Sequence, residues 1–278
     1  MGLALIPAST QCSESSRGGR YLESGLRAIL VRVFVDGKYG GWNAPVDPET
    51  GEFVYVPIPD DHDAKWHPGC ERRYSEVRPV VDAFLAKRNV VPVGEFRMPR
   101  ELDAFPMHLD PDFEHLTYGD VGDKRGAGVR TLRENDLVVF YAGLRSTRRE
   151  DKRLVYGIVG LYVVDEIVSV HGVTLDRSHE NAHTRTVVRG TSDFVLRAKR
   201  GKSGRCERCV PIGEFRAPSN YFVRPDLFER WGGFKTTTGE PRNGYLTMSA
   251  VPPEFANPGR FLEWWHEQSV RLLDNNFG

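Results

Sequence analysis

Two long apolar runs lie close together mid-chain, Leu137-Val-Val-Phe-Tyr-Ala-Gly-Leu144 and Leu154-Val-Tyr-Gly-Ile-Val-Gly-Leu-Tyr-Val-Val164. Both are continuous rather than alternating and rich in β-branched and aromatic residues, so each reads as a buried strand. The basic stretch from Arg145 to Arg153 joins them as the turn of a β-hairpin. Gly157 and Gly160, inside the second run, allow bulges. Burial on this scale needs apolar partners, and the 30 aromatic residues together with abundant Val, Leu and Ile supply them, which excludes a disordered chain.

The other elements are shorter. Ala28 to Val35 is a further buried strand, and Glu52 to Ile58 is another that ends at Pro57 and Pro59. Short strands are expected at Ser192–Arg197 and Val210–Phe215. Val77, Val80, Val81, Phe84 and Leu85 recur at helical spacing, so a helix is expected over 76–87, with Pro79 in its first turn. A second helix is expected from Pro258 to Leu273, where Trp264 and Trp265 read as core. Residues 60–74 and 100–130 read as loops, 165–190 as a polar stretch, and residues 1–25, rich in Ser, Gly and charge, as a mobile arm. The pattern is α+β, with several strands and few helices in one domain over 26–278; a division near residue 130 is the alternative.

Charge narrows the function. The 38 basic and 38 acidic residues cancel, which is not the footprint of a strong non-specific nucleic-acid binder. A local basic groove remains open, from Arg145, Arg148, Arg149, Lys152 and Arg153, or from Arg197, Lys199, Arg200, Lys202, Arg205 and Arg208; solvated loops are the plain reading of both. No stretch approaches the roughly 18 apolar residues of a membrane span. The N-terminal stretch has no positive region before its apolar run and Ile6 where myristoylation wants Ser or Thr, so a cytoplasmic location is expected. Cys12, Cys70, Cys206 and Cys209 are too few for a disulfide framework. Cys206-Glu-Arg-Cys209 has no second CxxC; His67 and Cys70 could complete a zinc site, but a surface loop with two thiols is simpler.

The segment Pro106-Met-His-Leu-Asp-Pro-Asp-Phe-Glu-His-Leu-Thr-Tyr-Gly-Asp120 is the densest in chemical groups. His108 and Asp110, two apart, point to one side of an extended stretch, and with a distant His they could form a two-His, one-carboxylate iron site. Asp110-Pro111-Asp112 could equally be a turn whose carboxylates cap backbone N–H groups. The glycine-rich loop Asp36 to Pro45 leaves a buried strand, so Trp42 could stack on a planar base and Asn43 read its edge, or Trp42 could simply close over the core. It matches neither GxGxxG nor a P-loop. His179 and His183 would share a helix face, which zinc could use, but their polar surroundings favour a solvated loop; His171 lies in the same stretch.

In combination these segments resemble a known family. Ile29-Leu-Val-Arg-Val-Phe-Val-Asp36, Gly40-Gly-Trp-Asn-Ala-Pro45, Val54-Tyr-Val-Pro-Ile-Pro59, the Met107–Asp120 segment and the two long runs occur in an order similar to the third of the nucleotide modification associated domain families, over about residues 26–250. The resemblance implies DNA base hypermodification, associated with phages and prokaryotes, without an established reaction. Matched positions that could be functional are Arg32, Asp36, Trp42, Asn43, His108, Asp110, Asp112, Tyr118, Asp120 and Tyr141. The hairpin is also similar to PUA-like and EVE-like domains, which implies a curved sheet or small barrel holding one flipped base.

Two functions follow as expectations. In an enzyme, His108 with Asp110 or Asp112 serves as acid and base or holds a metal, while Trp42 or Tyr141 stacks and Asn43 reads. In a reader of modified bases, Arg145, Arg148, Arg149 and Lys152 contact phosphate. A scaffold subunit of a modification or restriction system is the blander alternative. The expected partner is DNA or a free nucleotide, with other DNA-modification proteins beside it. The cofactor and metal are left open.

Overall fold

The computed structural model describes residues 25–277 apart from Lys124, Ser219, 238–239 and 248–250. The arm expected over 1–25 lies, save Gly25, outside the described residues.

A mixed sheet is built around the central hairpin. Its strands in chain order are β1 (Ala28–Arg32), β2 (Thr117–Val121), β3 (Leu137–Ser146), β4 (Leu154–Ser169), β5 (Asp193–Ala198) and β6 (Gly204–Pro211). The two long strands pair antiparallel, from Leu137 opposite Val163 to Arg145 opposite Leu154, with a bulge between Phe140 and Tyr141. β1 lies parallel to β3, Ala28 opposite Leu137, and the short strand Pro45–Val46 continues along β3 in the same sense. β4 is long enough to serve β6 at Gly157–Leu161 and β5 at Val164–Ser169. β2 and the pair Leu272–Leu273 finish the sheet on β5 and β6. Among the described residues the sheet does not close, so the mixed-sheet alternative of the α+β expectation holds and the barrel alternative does not.

The hairpin is continuous in sequence because it is buried on both faces. Val138, Val139, Phe140, Ala142, Leu144, Ile158, Val159 and Tyr162 are completely inaccessible. Phe140 meets Tyr162 edge-on at 4.8 Å and Phe113 at 6.0 Å. Each of the larger aliphatic and Phe side chains contributes about 1.5–3 kcal/mol by leaving water. Helix α1 (Tyr74–Ala86) buries Tyr74, Val77, Val81 and Leu85, the stripe its spacing predicts.

Four expectations change. The C-terminal helix, Pro258–Glu267, stops six residues early; Ser269 turns into the left-handed region and Leu272–Leu273 then joins the sheet. Of the 52–58 run only Ile58 enters a strand, the two-residue Ile58–Pro59, and Pro57 before it brings no N–H to a ladder. The loop expected over 100–130 contains β2. Cys206 and Cys209 are not on a surface loop but inside β6, both buried, and burial pushes both thiols up, Cys209 to about 12. Trp264 and Trp265 are core as expected. No helix among the described residues is long and apolar enough to cross a membrane.

Candidate metal centre

A cavity of about 500 Å³ opens beside β1 and β2, within the size range of small-ligand sites. His108, Asp110 and His183 line it together, and one ligand atom from each lies within 4.8 Å of the other two. Different segments supply them. His108 pairs with Ile58 in a short antiparallel bridge, Asp110 follows two residues on, and His183 stands on the one-turn helix Ala182–Arg185.

Both imidazoles are oriented from behind. His108 Nδ1 lies 3.0 Å from Asp60 Oδ2, and His183 Nδ1 lies 2.9 Å from Asp193 Oδ2. Burial works against ionisation of Asp60, but the hydrogen bond and charge of His108, the Asp61 N–H and His183 together outweigh it and hold the carboxyl below its usual range; Asp193 is held low by its bond from His183. An ionised carboxylate can only accept, so Nδ1 is the donor in each ring and Nε2 is the nitrogen that faces the cavity. Each Nε2 lies 3.9 Å from Asp110 Oδ2. The rings meet edge-on, centroids 5.0 Å apart. Donors spaced within 4.8 Å put the centre of the triangle roughly 2.3–2.8 Å from each, so an ion with bond lengths of about 2.0–2.2 Å draws each inward by a few tenths of an ångström.

Asp110 is pinned as firmly. Gly119 N–H donates to both its oxygens, at 2.9 and 3.0 Å, and Asn181 Nδ2 donates to Oδ1 at 3.1 Å. Burial pushes the carboxyl up to about 7 against these donors and His183, so a cation beside it would offset the main cost of its ionised form. Gly119 must be glycine: a Cβ there would lie 2.5 Å from both Asn181 Oδ1 and the His183 ring. Asn181 caps the helix that carries His183, accepting from His183 N–H at 3.0 Å, so one buried amide positions two of the three candidate ligands.

The rest of the cavity is polar. Arg32 pairs with Asp36 at 2.9 Å, and Tyr118 O–H donates to Asp120 Oδ2 at 2.7 Å. Asp36 also folds its own loop by accepting from the N–H groups of Lys38 and Tyr39, and Gly40, at φ +93°, leaves no room for a Cβ against Val35. That turn brings Lys38 and Tyr39 to the cavity. Arg125 completes the lining and donates from Nη2 to the Arg32 carbonyl.

Of the residues singled out in the sequence, Arg32, Asp36, His108, Asp110, Tyr118 and Asp120 meet at this cavity. Trp42 and Asn43 do not line it: the Trp42 indole N–H donates to the Glu95 carbonyl, and Asn43 Nδ2 to the Gly143 carbonyl. Tyr141 is buried in the sheet with its hydroxyl on the Leu246 carbonyl. Asp112 is fully buried away from the cavity. Burial opposes its ionisation, yet His115, Arg185 and Asn276 together hold its carboxyl well below the usual range. Arg145 and Arg148 reach Glu95 and Glu49, and neither they nor Arg149 and Lys152 belong to the lining. His183, Asp60, Asp193, Asn181, Lys38, Tyr39 and Arg125 were not assigned to the site from sequence. The helix-capping signature of Asn181 before Ala-His-Thr marks an ordered turn where a solvated loop is the sequence expectation.

Residues 27–249 match the family described as nucleotide modification associated domain 3. A search of the curated proteins and of the solved structures found no match.

Proposed function

The chain belongs to the nucleotide modification associated domain 3 family, and from that premise we propose that it is a metal-dependent enzyme that modifies the base of a nucleotide held in this cavity. One observation carries the reading: two histidines, each backed by its own carboxylate, turn their Nε2 atoms toward Asp110 on the wall of a ligand-sized cavity. Backing carboxylates of this kind are the usual supports of metal-bound histidine. Two imidazoles and one carboxylate leave coordination positions open for substrate and water, and this donor set suits a first-row divalent ion, iron(II) foremost. A bound ion polarises or activates what it touches.

Structural ion pairing explains the arrangement less well. A purely structural histidine needs no second carboxylate facing its free nitrogen, whereas Asp110 faces both. The test is metal content together with turnover: one divalent ion per chain is expected, lost in His108→Ala and His183→Ala along with conversion of nucleotide. A folded protein that binds nucleotides equally well without metal and leaves them unchanged is a reader of bases instead.

A further inference from the structure

Burial works against the charge of Arg125, and Asp120 and the neighbouring tyrosine hydroxyls offset it only from beyond ion-pair distance. The Arg125 side chain lines the cavity half-buried, yet it forms no ion pair with a carboxylate among the described residues. Its Nε is buried without a hydrogen-bond partner. A buried donor left without an acceptor is costly, and the planar guanidinium fork matches phosphate oxygens. Lys38, exposed in the same lining, likewise forms no ion pair among the described residues; its amine rests 5.5 Å from the ring of Tyr39. Tyr39 is 49% exposed, an aromatic face on which a base can stack. The third cation of the lining, Arg32, is already paired with Asp36.

We infer that Arg125 and Lys38 bind the phosphate of a free nucleotide, so that the substrate is a mononucleotide rather than a base flipped out of long DNA. The inference rests on the reading of the cavity as a nucleotide site. Two unpaired cations suffice for one phosphate. A duplex engages many, and the chain has neither the net charge nor, in the lining, the further cations for it. The basic loop 145–153 does not line the cavity, and its Arg145 and Arg148 already face Glu95 and Glu49.

The experiment is calorimetric titration of the full chain, with and without Mn²⁺, using the four 2′-deoxynucleoside 5′-monophosphates, their nucleosides, 2-oxoglutarate, and a 12-residue DNA in single- and double-stranded form. At least one monophosphate is expected to bind about 100-fold more tightly than its nucleoside and than either DNA. Arg125→Ala should remove that preference while leaving Mn²⁺ affinity intact, and Arg125→Lys should restore part of it. Equal affinity for nucleoside and monophosphate, no binding of any monophosphate, tighter binding of DNA, or an Arg125→Ala protein that keeps the preference would each overturn the inference. Preferential binding of 2-oxoglutarate, lost in Arg125→Ala, would overturn it by assigning the cations to a dicarboxylate. If Mn²⁺ fails to bind while the phosphate preference persists, the metal reading falls and this inference stands.

Discussion

Removing the carboxylates behind the histidines probes the metal centre without touching a ligand atom. Asp60→Asn and Asp193→Asn keep size and shape, but an amide holds the imidazole N–H less strongly and can turn its own donor toward Nδ1. The contacts at stake are the 3.0 Å bond to His108 and the 2.9 Å bond to His183. Outer carboxylates of this kind are worth about 10–100-fold in metal affinity, or about 1.4–2.7 kcal/mol each. Because both supports act through adjoining rings on one ion, the factors need not multiply, and the double variant should fall at least as far as the weaker single variant, by about 10–100-fold or more. Competition against a fluorescent chelator measures the affinities, and a thermal melt of the metal-free proteins checks that each variant is folded. Folded variants that bind the ion as tightly as the parent would refute the claim that these rings present Nε2 to a metal.

Other outcomes separate the site from its surroundings. Asp112→Asn should leave metal affinity unchanged but cost about 3–5 kcal/mol of stability in denaturant titration, because it strips the partner from buried Arg185. Gly119→Ala should weaken metal binding and destabilise by about 1–3 kcal/mol, since its Cβ has no space between Asn181 and His183; an unperturbed melt and titration would contradict the packing described. Metal affinity should rise with pH and level off above about 7, as the ion displaces the proton of the buried Asp110 carboxyl into solvent, while the metal-free fold loses stability as pH rises from about 4 through about 7 because that raised carboxyl must ionise; a pH-independent affinity would show that the metal displaces no proton from Asp110. Cys206 and Cys209 should resist a thiol reagent until the protein unfolds, as mass mapping of labelled peptides will show.

The sheet was readable because its strongest constraint is local. Continuous apolar runs with interior glycines can hardly be other than paired buried strands, and the observed β3–β4 ladder follows them closely. Segments whose fate depends on partners were harder: the 52–58 run, which carries Pro57, gives only Ile58 to a strand, and Cys206 and Cys209 look like loop thiols until β6 is seen docked on β4. At the site, the spacing of His108 and Asp110 suggested a metal and the need for a distant histidine. Which one could not be read, because His183 is brought in by Asn181 and Asp193, 71 and 83 residues beyond Asp110. Trp42 misled because a tryptophan in a glycine-rich loop suits a ligand and a core lid equally well, and here it is the lid.

Crystals of the Fe²⁺- or Mn²⁺-loaded protein, measured at the metal absorption edge, would test the central claim most directly. A single anomalous peak is expected at about 2.0–2.2 Å from His108 Nε2, His183 Nε2 and an Asp110 oxygen. A peak elsewhere, such as at the neighbouring His115 and His179 rings, or no peak from protein shown to be saturated with the ion, would contradict it.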